Sequence, residues 1–278
     1  MTTRVAIVGA TGKLGGIVRG VVEAEPGFKV HALLSSRDAL ASIEGADLVV
    51  DASTPVVSID VVRAALERGI PVLVGTSGWS NERIALVRPL VDAAGVGAVF
   101  IPNFSLGSVV GSALAAAAAP LFDSVEIVEA HRDTKVDSPS GTAVRTAELV
   151  AAARVHVGPV SAPHVDQRAR GQQVASVPVH SLRRPGVVAR QEVLLSGPGE
   201  TLSIVHDTTE PALAYAPGIR VALRAAPGLH GVVVGLESFL DIGLRTPGRE
   251  PDAASADATA GSVDEGDVPG QVARATGA

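Results

Sequence analysis

The segment from Glu129 to Ala143 concentrates the side chains of this sequence that are best suited to acid–base chemistry. His131, Arg132 and Lys135 follow a strand-like run, and Ser140-Gly141-Thr142 then opens a predicted helix. The start of a helix offers free backbone N–H groups, and hydroxyls beside it can bind a carboxylate. A lysine next to such an anion site can bind the substrate and supply a proton. A histidine can stabilise developing charge or relay a proton. The segment therefore predicts a site that binds an anion and moves a proton.

A glycine-rich turn near the start of the chain predicts a dinucleotide site. Gly9, Gly12 and Gly15 follow the apolar run 4–8 and precede an amphipathic helical pattern. Glycine lets the backbone approach a pyrophosphate closely, and the helix that follows presents free N–H groups and the positive end of its dipole. A purely structural turn is the alternative. The predicted binding segment comprises Gly9, Ala10, Thr11, Gly12, Lys13, Leu14 and Gly15.

The end of the second predicted strand bears on which nicotinamide cofactor binds. NAD sites usually carry an acidic residue there for the ribose hydroxyls, whereas this segment reads Ser35-Ser36-Arg37 with no acid before Asp38. Two hydroxyls and a guanidinium suit a 2′-phosphate better. We therefore expect NADPH to be preferred and NADH to be possible. The alternative interpretation of Arg37 is a solvated arginine in a loop.

Two further loops follow predicted strands and are rich in small and hydroxyl-bearing residues. The first contains Ser53 and Thr54, and the second contains Gly75, Thr76 and Ser77. Ligands of open parallel sheets bind at the carboxyl ends of the strands. These loops are therefore candidates to contact a nicotinamide and its ribose, although the same residue types are common in ordinary turns.

The order of predicted elements places these motifs on two different kinds of sheet. Up to about residue 104, strands alternate with helices, which is typical of a parallel sheet with helices on both faces. After residue 105 the pattern predicts mainly strands with few helices, and hence an antiparallel or mixed sheet. The predicted elements there are strands at 124–129, 174–183, 187–196, 200–207 and 231–234, and helices at 107–119, 142–153 and 217–226.

Composition excludes several classes of protein. The chain has 278 residues, 46% of them hydrophobic, a net charge of −6 and no cysteine. The absence of cysteine excludes disulfides, a thiolate nucleophile and a cysteine-ligated metal, and we predict no metal site. The negative charge argues against nucleic acid and anionic membranes as partners. No secretory signal is evident, so we expect a cytoplasmic protein. Residues 246–278 have an acidic, Ala- and Gly-rich composition that predicts a disordered tail.

The motifs, taken in chain order, resemble the 4-hydroxy-tetrahydrodipicolinate reductase family, also called dihydrodipicolinate reductase. The resemblance runs from Val5 to about Leu244 and is most specific from His131 to Ala143. Other matches include the glycine turn, Gly75-Thr-Ser-Gly78, Ile101-Pro-Asn-Phe104, Val179-His-Ser-Leu-Arg183, Gln191-Glu-Val193, Gly199-Glu-Thr-Leu202 and His206-Asp207.

The resemblance implies the domain organisation and the assembly. Residues 1–104 plus 216–245 would form a Rossmann-type cofactor domain, and 105–215 an inserted α+β domain with a mixed sheet for substrate binding and oligomerisation. The family forms a homotetramer and acts in the diaminopimelate and lysine pathway.

The resemblance also implies roles for individual residues. His131 and Lys135 would be catalytic, with Lys135 as the proton donor. A dicarboxylate substrate would contact Lys135, Ser140, Gly141 and Thr142. Arg132, which replaces a family histidine, is our own candidate for a further carboxylate contact. Asn103 and Phe104 would join the cofactor site.

Several departures from the family pattern leave alternatives open. Arg132 stands where the family has a second histidine, Ser138 where it has alanine, and Arg190 where it has histidine. A family arginine near the substrate is missing from the segment 209–215. A paralogous NADPH-dependent reductase of a cyclic imine or enamine is one alternative. An NADP-sensing protein without catalytic activity is another.

Overall fold

In the computed structural model, which describes residues 2–243, six parallel strands form the first of two sheets. Numbered in chain order, these are β1 (Thr3–Val8), β2 (Phe28–Leu34), β3 (Leu48–Asp51), β4 (Val72–Val74), β5 (Gly97–Phe100) and β11 (Gly231–Val234). Their spatial order is β11-β5-β4-β3-β1-β2. The chain passes from β1 to β2 on one side and then to β3 on the other side of β1. Such a switch point opens a crevice at the carboxyl ends of the strands, where ligands bind.

Four helices cover the two faces of this sheet: α1 (Lys13–Ala24), α2 (Pro55–Leu66), α3 (Asn81–Ala94) and α6 (Pro211–Ala225). Helices α2 and α3 pack on one face, and α1 and α6 pack on the other. Strand residues alternate between the two cores, so that in β1 Ala6 and Val8 face one and Val5 and Ile7 face the other. Burial on both faces explains why these strands are continuous apolar runs.

The second sheet has five strands and is mixed. They are β6 (Ser124–His131), β7 (Gln172–Val174), β8 (Val177–Arg183), β9 (Ala189–Gly197) and β10 (Glu200–Thr208), in the order β10-β9-β6-β8-β7. Only the β6–β8 pair is parallel. The helices α4 (Leu106–Ala118) and α5 (Gly141–Ala153) pack on this sheet through small side chains such as Ala115, Ala143 and Ala147. The predicted fold class, a Rossmann-type parallel sheet with an inserted mixed-sheet domain, is confirmed.

Three elements differ from the sequence prediction. Helix α3 was not predicted. The strand expected at 174–183 is a hairpin, because Ala175 and Ser176 adopt positive φ angles of 47° and 69° and form a two-residue turn. Helix α6 begins at Pro211 rather than Pro217, since Pro211 occupies the first helical turn, where proline costs no hydrogen bond. The predicted domain boundary at residue 216 therefore falls inside α6.

Three further predictions concern a C-terminal tail, a membrane-spanning helix and a metal site. The predicted tail, 246–278, lies outside the described residues. Between residues 2 and 243, no helix combines the length and the apolar character needed to cross a membrane. In the same range no group of three or more His, Cys, Asp or Glu side chains is placed to hold a metal ion.

Candidate active site

The glycine turn lies at the switch point, between the end of β1 and the start of α1. Gly9 has φ of +82°, and a Cβ there would lie 2.3 Å from the carbonyl oxygen of Ala52. A Cβ on Gly15 would lie 2.1 Å from the carbonyl oxygen of Gly9. Gly12 is the N-cap of α1, and no side chain caps this helix. The first N–H groups of α1 are thus left for an anion, as a pyrophosphate site requires.

The loop after β2 contains an acid that takes part in its structure. The hydroxyl and the N–H of Ser35 both donate to Asp38 Oδ2 at 2.7 Å. These hydrogen bonds from Ser35, and the charge of Arg37, lower the pKa of Asp38. The Ser36 and Arg37 side chains donate no hydrogen bond within residues 2–243, so they remain available to a phosphate. The loop therefore presents a guanidinium and a carboxylate together.

The loops after β3 and β4 are held together by the buried carboxylate of Asp51. Ser53 donates to Asp51 Oδ1 through its N–H at 3.0 Å, and through its hydroxyl at 2.5 Å. The hydroxyl of Ser58 donates to Oδ2, and Trp79 Nε1 donates to Ser58 Oγ at 2.8 Å. The Ser53 hydroxyl therefore already donates a hydrogen bond within the protein. The hydroxyl of Thr76 likewise donates to the Asp51 carbonyl oxygen at 3.4 Å. Of the predicted cofactor residues in these two loops, Thr54 and Ser77 are exposed.

Asn103 links the two sheets through its side chain. Its Nδ2 donates to Ser108 Oγ and to Thr142 Oγ1, each at 3.0 Å, and its Oδ1 accepts from Ser105 N at 2.8 Å. The side-chain amide is therefore used within the protein, and it fixes Thr142. The main chain of Asn103 is therefore the part of this residue that is left for a cofactor.

Phe104 is buried beneath the same region. A Cβ on Gly75 would lie 2.7 Å from the Phe104 ring, and one on Gly218 in α6 would lie 2.0 Å from the Phe104 carbonyl oxygen. Glycine at both positions lets β4 and α6 close around Phe104. The structure thus brings together Gly75 and Phe104, two of the predicted cofactor residues.

His131 ends β6, and its ring is held by a buried carboxylate. Its Nδ1 lies 2.6 Å from Glu129 Oε2. Burial alone would raise the pKa of Glu129, but hydrogen bonds from His131, Arg183 and Ser181 outweigh it and lower the pKa to about 2. Glu129 is therefore ionised at neutral pH and accepts a hydrogen bond from the Nδ1–H group. This bond leaves Nε2 as the ring nitrogen available for chemistry.

Lys135 lies on the loop between β6 and α5. Its Nζ donates to both carboxylate oxygens of Asp137, at 2.7 and 2.8 Å. The Lys135 side chain is largely buried, at 23% exposure, whereas that of Asp137 is 54% exposed. The salt bridge thus orients the ammonium group at the edge of a cavity.

The start of α5 forms the predicted anion site. Ser140 is the N-cap, and its hydroxyl accepts from Ala143 N at 3.3 Å. Thr142 Oγ1 accepts from Asn103. Because each hydroxyl accepts a bond from the protein, each keeps its own proton to donate to a carboxylate. A Cβ on Gly141 would meet no atom within 4 Å, so the backbone there is open.

A cavity of about 290 Å³ brings the two groups of predicted residues together. From the cofactor side it is lined by Lys13, Leu14, Gly75, Asn103 and Phe104, and from the catalytic side by His131, Arg132, Lys135, Ser140 and Thr142. An adjoining cleft of about 550 Å³ shares Pro102 and is lined by Thr76, Ser77 and Gly141 among others. Several predicted cofactor residues line neither cavity, namely Gly9, Ala10, Thr11, Gly12, Gly15, Ser35, Ser36, Arg37, Ser53 and Thr54.

Three residues of this site were not assigned a role by the sequence analysis. Tyr215 in α6 lines the 290 Å³ cavity. Burial raises the pKa of its phenol, and the positive charge of Arg132 opposes the shift. Glu129 and Arg183 form a buried ion pair behind His131, with Nη2 3.0 Å from Oε1. The spacing of Glu129 and His131 was an available signal, because residues i and i+2 of a strand share a face. The pairing with Arg183 had no local signal.

The residues present fit a nicotinamide dinucleotide. The backbone around Gly9 and Gly15 leaves no space for a Cβ, and the start of α1 is uncapped. These features lie at the carboxyl edge of the parallel sheet, and the cavity beside them is continuous with His131 and Lys135.

Comparison with protein families gives matches along nearly the whole described chain. Residues 3–104 match the family model described as dihydrodipicolinate reductase, N-terminus, and residues 107–240 match the one described as dihydrodipicolinate reductase, C-terminus. The departures at Arg132, Arg190 and 209–215 thus lie within the second match.

Two curated relatives with the same name illustrate the similarity. The 4-hydroxy-tetrahydrodipicolinate reductase of Clavibacter michiganensis is 54% identical over 100% of both chains. The protein of the same name from Streptomyces coelicolor is 42% identical over 86% of this chain and 98% of its own.

Solved structures are similar in fold. A dipicolinate-bound dihydrodipicolinate reductase from a Paenisporosarcina species superposes with a TM-score of 0.69 at 27% identity, over 86% of this chain and 100% of that chain. An amine dehydrogenase from Mycobacterium smegmatis, at 12% identity and a TM-score of 0.58, shares the fold alone.

Proposed function

We propose that this chain, which belongs to the dihydrodipicolinate reductase family, reduces 4-hydroxy-tetrahydrodipicolinate to tetrahydrodipicolinate with NADPH. The observation that carries the proposal is the 290 Å³ cavity, where the glycine turn meets His131, Lys135 and the start of α5. A hydride donor and a proton donor must converge on one substrate, and this cavity offers both positions.

The anion site holds the substrate. The hydroxyls of Ser140 and Thr142 donate hydrogen bonds to one carboxylate. The open N–H groups at the start of α5 add further hydrogen bonds and a favourable dipole. Arg132 meets the second carboxylate, since its guanidinium lines the same cavity and is permanently charged. Fixing both carboxylates orients the ring for reaction.

His131 and Lys135 provide the acid–base chemistry. Lys135 donates the proton that balances hydride addition, and water leaves from the 4-hydroxy position. His131, whose Nδ1 is bound to Glu129, presents Nε2 to the ring and stabilises charge as it develops. The nicotinamide cofactor supplies the hydride when it is bound. The preference for NADPH over NADH is supported by Ser36 and Arg37, although Asp38 stands beside them.

The family resemblance supports three further proposals. The enzyme assembles as a homotetramer, acts in the cytoplasm, and divides its chain into a cofactor domain of 1–104 plus 216–245 and a substrate domain of 105–215. Each is testable separately from activity, by light scattering, cell fractionation and limited proteolysis.

The decisive experiment is a spectrophotometric assay of NADPH oxidation with freshly generated 4-hydroxy-tetrahydrodipicolinate. We expect turnover, competitive inhibition by dipicolinate against the substrate, and tetrahydrodipicolinate as product. NADPH binding without oxidation would point to the sensing alternative. Turnover of other cyclic imines but not of this substrate would point to the paralogous reductase.

A further inference from the structure

The carboxylate of Glu129 is fully buried, carries charge, and takes no direct part in the proposed chemistry. We propose that Glu129 and Arg183 form a positioning pair that holds His131 and Lys135 in a fixed relation to each other. The proposal rests on the function proposed above, because it concerns the residues that carry out that reaction.

Glu129 accepts hydrogen bonds from four residues in three parts of the chain. Its Oε2 accepts from His131 Nδ1 at 2.6 Å and from Arg183 Nη1 at 3.0 Å. Its Oε1 accepts from Arg183 Nη2 at 3.0 Å and from the backbone N–H of Ser140 at 3.3 Å. Ser181, its register partner on β8, also donates to it. One carboxylate thus joins the histidine, the neighbouring strand and the start of the anion-binding helix.

Arg183 carries the constraint from this carboxylate to the lysine. Its Nε donates to the carbonyl oxygen of Lys135 at 3.3 Å, and its Nη2 donates to that of Asp137 at 2.5 Å. These bonds tie the loop between β6 and α5 to β8. Most of this loop is exposed, and Val136 is 97% exposed, so packing does little to hold it. Within the loop, Lys135 N donates to the Arg132 carbonyl oxygen at 3.1 Å, and the Arg183 guanidinium links the Lys135 backbone to β8.

The pair is better suited to positioning than to stability. A buried ion pair loses much of its Coulomb energy to desolvation, so apolar residues of similar volume are often as stabilising. The planar guanidinium, however, can bind two carboxylate oxygens and two carbonyls at defined angles. A lysine keeps the charge but cannot make these bonds at the same time. The geometry thus requires arginine at position 183.

The test compares Glu129→Gln, Arg183→Lys and the double variant with wild type. Glu126→Gln is the matched control, because Glu126 also lies on β6 and forms an ion pair, but with Arg170 and His180, away from the cavity. We expect kcat per NADPH-binding site to fall about 10²-fold in each single variant, the size of effect that a small displacement of catalytic groups produces. NADPH affinity should be unchanged.

Two features separate positioning from a purely structural role. The double variant should lose no more than the worse single variant, because the two residues act as one unit. A structural role would instead lower the melting temperature and leave kcat per folded site at the wild-type value in all variants, and that result would overturn the proposal. If Glu129→Gln does not fold, Arg183→Lys decides the question alone by the same criterion.

A substrate-independent measurement keeps this proposal separate from the proposed function. Two-bond ¹H–¹⁵N spectra of the histidine-labelled holoenzyme report which ring nitrogen carries the proton, with His131 assigned by its loss in His131→Asn. We expect the Nδ1–H form in wild type and Glu126→Gln, and a changed tautomer distribution in Glu129→Gln. An unchanged His131 signal in Glu129→Gln contradicts the proposal even where the wild-type reaction is a different one.

Discussion

The charged and hydroxyl side chains of the cavity differ in whether they have partners within the protein. Lys135 is bound to Asp137, and His131 to Glu129. Neither the Arg132 nor the Tyr215 side chain makes a hydrogen bond within residues 2–243, although both line the cavity. Polar groups with partners keep their geometry as substrate arrives, whereas groups without partners gain hydrogen bonds from it. We therefore assign chemistry to the first pair and substrate binding to the second.

Replacing Lys135 by alanine should lower kcat by about 10²–10⁴-fold, the usual contribution of general acid catalysis. Binding of NADPH should stay at the wild-type level. Lys29→Ala is the matched control, because Lys29 is exposed on β2 and lies away from both cavities. Stopped-flow measurement of NADPH oxidation distinguishes the variants. Wild-type turnover in Lys135→Ala would exclude this lysine as the proton donor.

Replacing Arg132 by alanine should weaken substrate binding at every pH by about 1.5–3 kcal/mol, the value of a charged hydrogen bond. Arg132→His should bind normally at acidic pH and lose affinity above about pH 6.5, as the imidazole loses its charge. In wild type, KM should stay low from pH 6 to 9, since arginine does not deprotonate there. Identical KM profiles in all three proteins would place Arg132 in solvent.

Tyr215→Phe provides the companion measurement. Burial keeps the phenol protonated, so it can donate to the carboxylate that we propose for Arg132. Loss of one hydrogen bond to a charged group costs about 1.5–3 kcal/mol, which is roughly a 10- to 150-fold rise in KM with kcat unchanged. A variant that changes kcat instead would indicate that Tyr215 contacts the reacting part of the ring.

Among the elements, α1 and the turn before it depend most closely on residue size. Gly15 lies against the Gly9 carbonyl, whereas Gly16, on the next position of the same helix, has open space around it. Adjacent glycines thus have opposite requirements. Gly15 permits close packing, and Gly16 only weakens the helix.

Gly15→Ala should therefore destabilise the protein by about 1–3 kcal/mol and impair NADPH binding, because the new methyl group displaces the turn. Gly16→Ala should stabilise it by about 0.5–1 kcal/mol through helix propensity. Thermal unfolding and fluorescence titration with NADPH check both. Equal effects of the two substitutions would mean that the close approach at Gly15 is unimportant.

We propose that the loop after β2 sets the cofactor preference through the opposite charges of Arg37 and Asp38. Arg37→Ala should lower kcat/KM for NADPH and leave that for NADH nearly unchanged, since only NADPH carries the 2′-phosphate. Asp38→Asn should shift the preference further towards NADPH by removing the nearby negative charge. An NADPH-to-NADH ratio that is unaffected by Arg37→Ala would show that the guanidinium does not contact the phosphate.

At the scale of the whole molecule, the chain completes the parallel sheet only after building the mixed one. Strand β11 joins β5 after about 130 residues, and α6 packs against α1 on the same side. The family matches end at residue 240, and the Streptomyces coelicolor relative covers 98% of its own length with 86% of this chain. The residues after 240 thus lie outside both family matches.

Truncation after Arg245 should leave activity and melting temperature unchanged. The composition of 246–278 is acidic and poor in large apolar side chains, so it offers little to bury. The full chain serves as the reference in the NADPH oxidation assay and in calorimetry. A marked loss of either property in the shortened chain would mean that the removed segment contacts the rest of the enzyme.

Local sequence determined the parts of the site that depend on neighbouring residues. Gly9 to Gly15 marks a strand–turn–helix, and Ser140 marks a helix start, because backbone angles and caps are set within a few positions. The segment from His131 to Thr142 likewise predicted an anion site with a proton donor. The change from alternating strands and helices to mostly strands located the second sheet, because element type follows from the local pattern of apolar residues.

Only the tertiary structure decided which distant residues meet. The pairing of Glu129 with Arg183 spans 54 positions and depends on the parallel register that places His131 beside Arg183. Asn103 contacts Thr142, which is 39 positions away in the sequence, and through this hydrogen bond its side-chain amide orients the Thr142 hydroxyl. Strand register and helix packing follow from the burial of whole faces, which no short segment encodes. The sequence therefore identified the candidate catalytic groups, and the packing of the two sheets supplied the contacts that hold them in place.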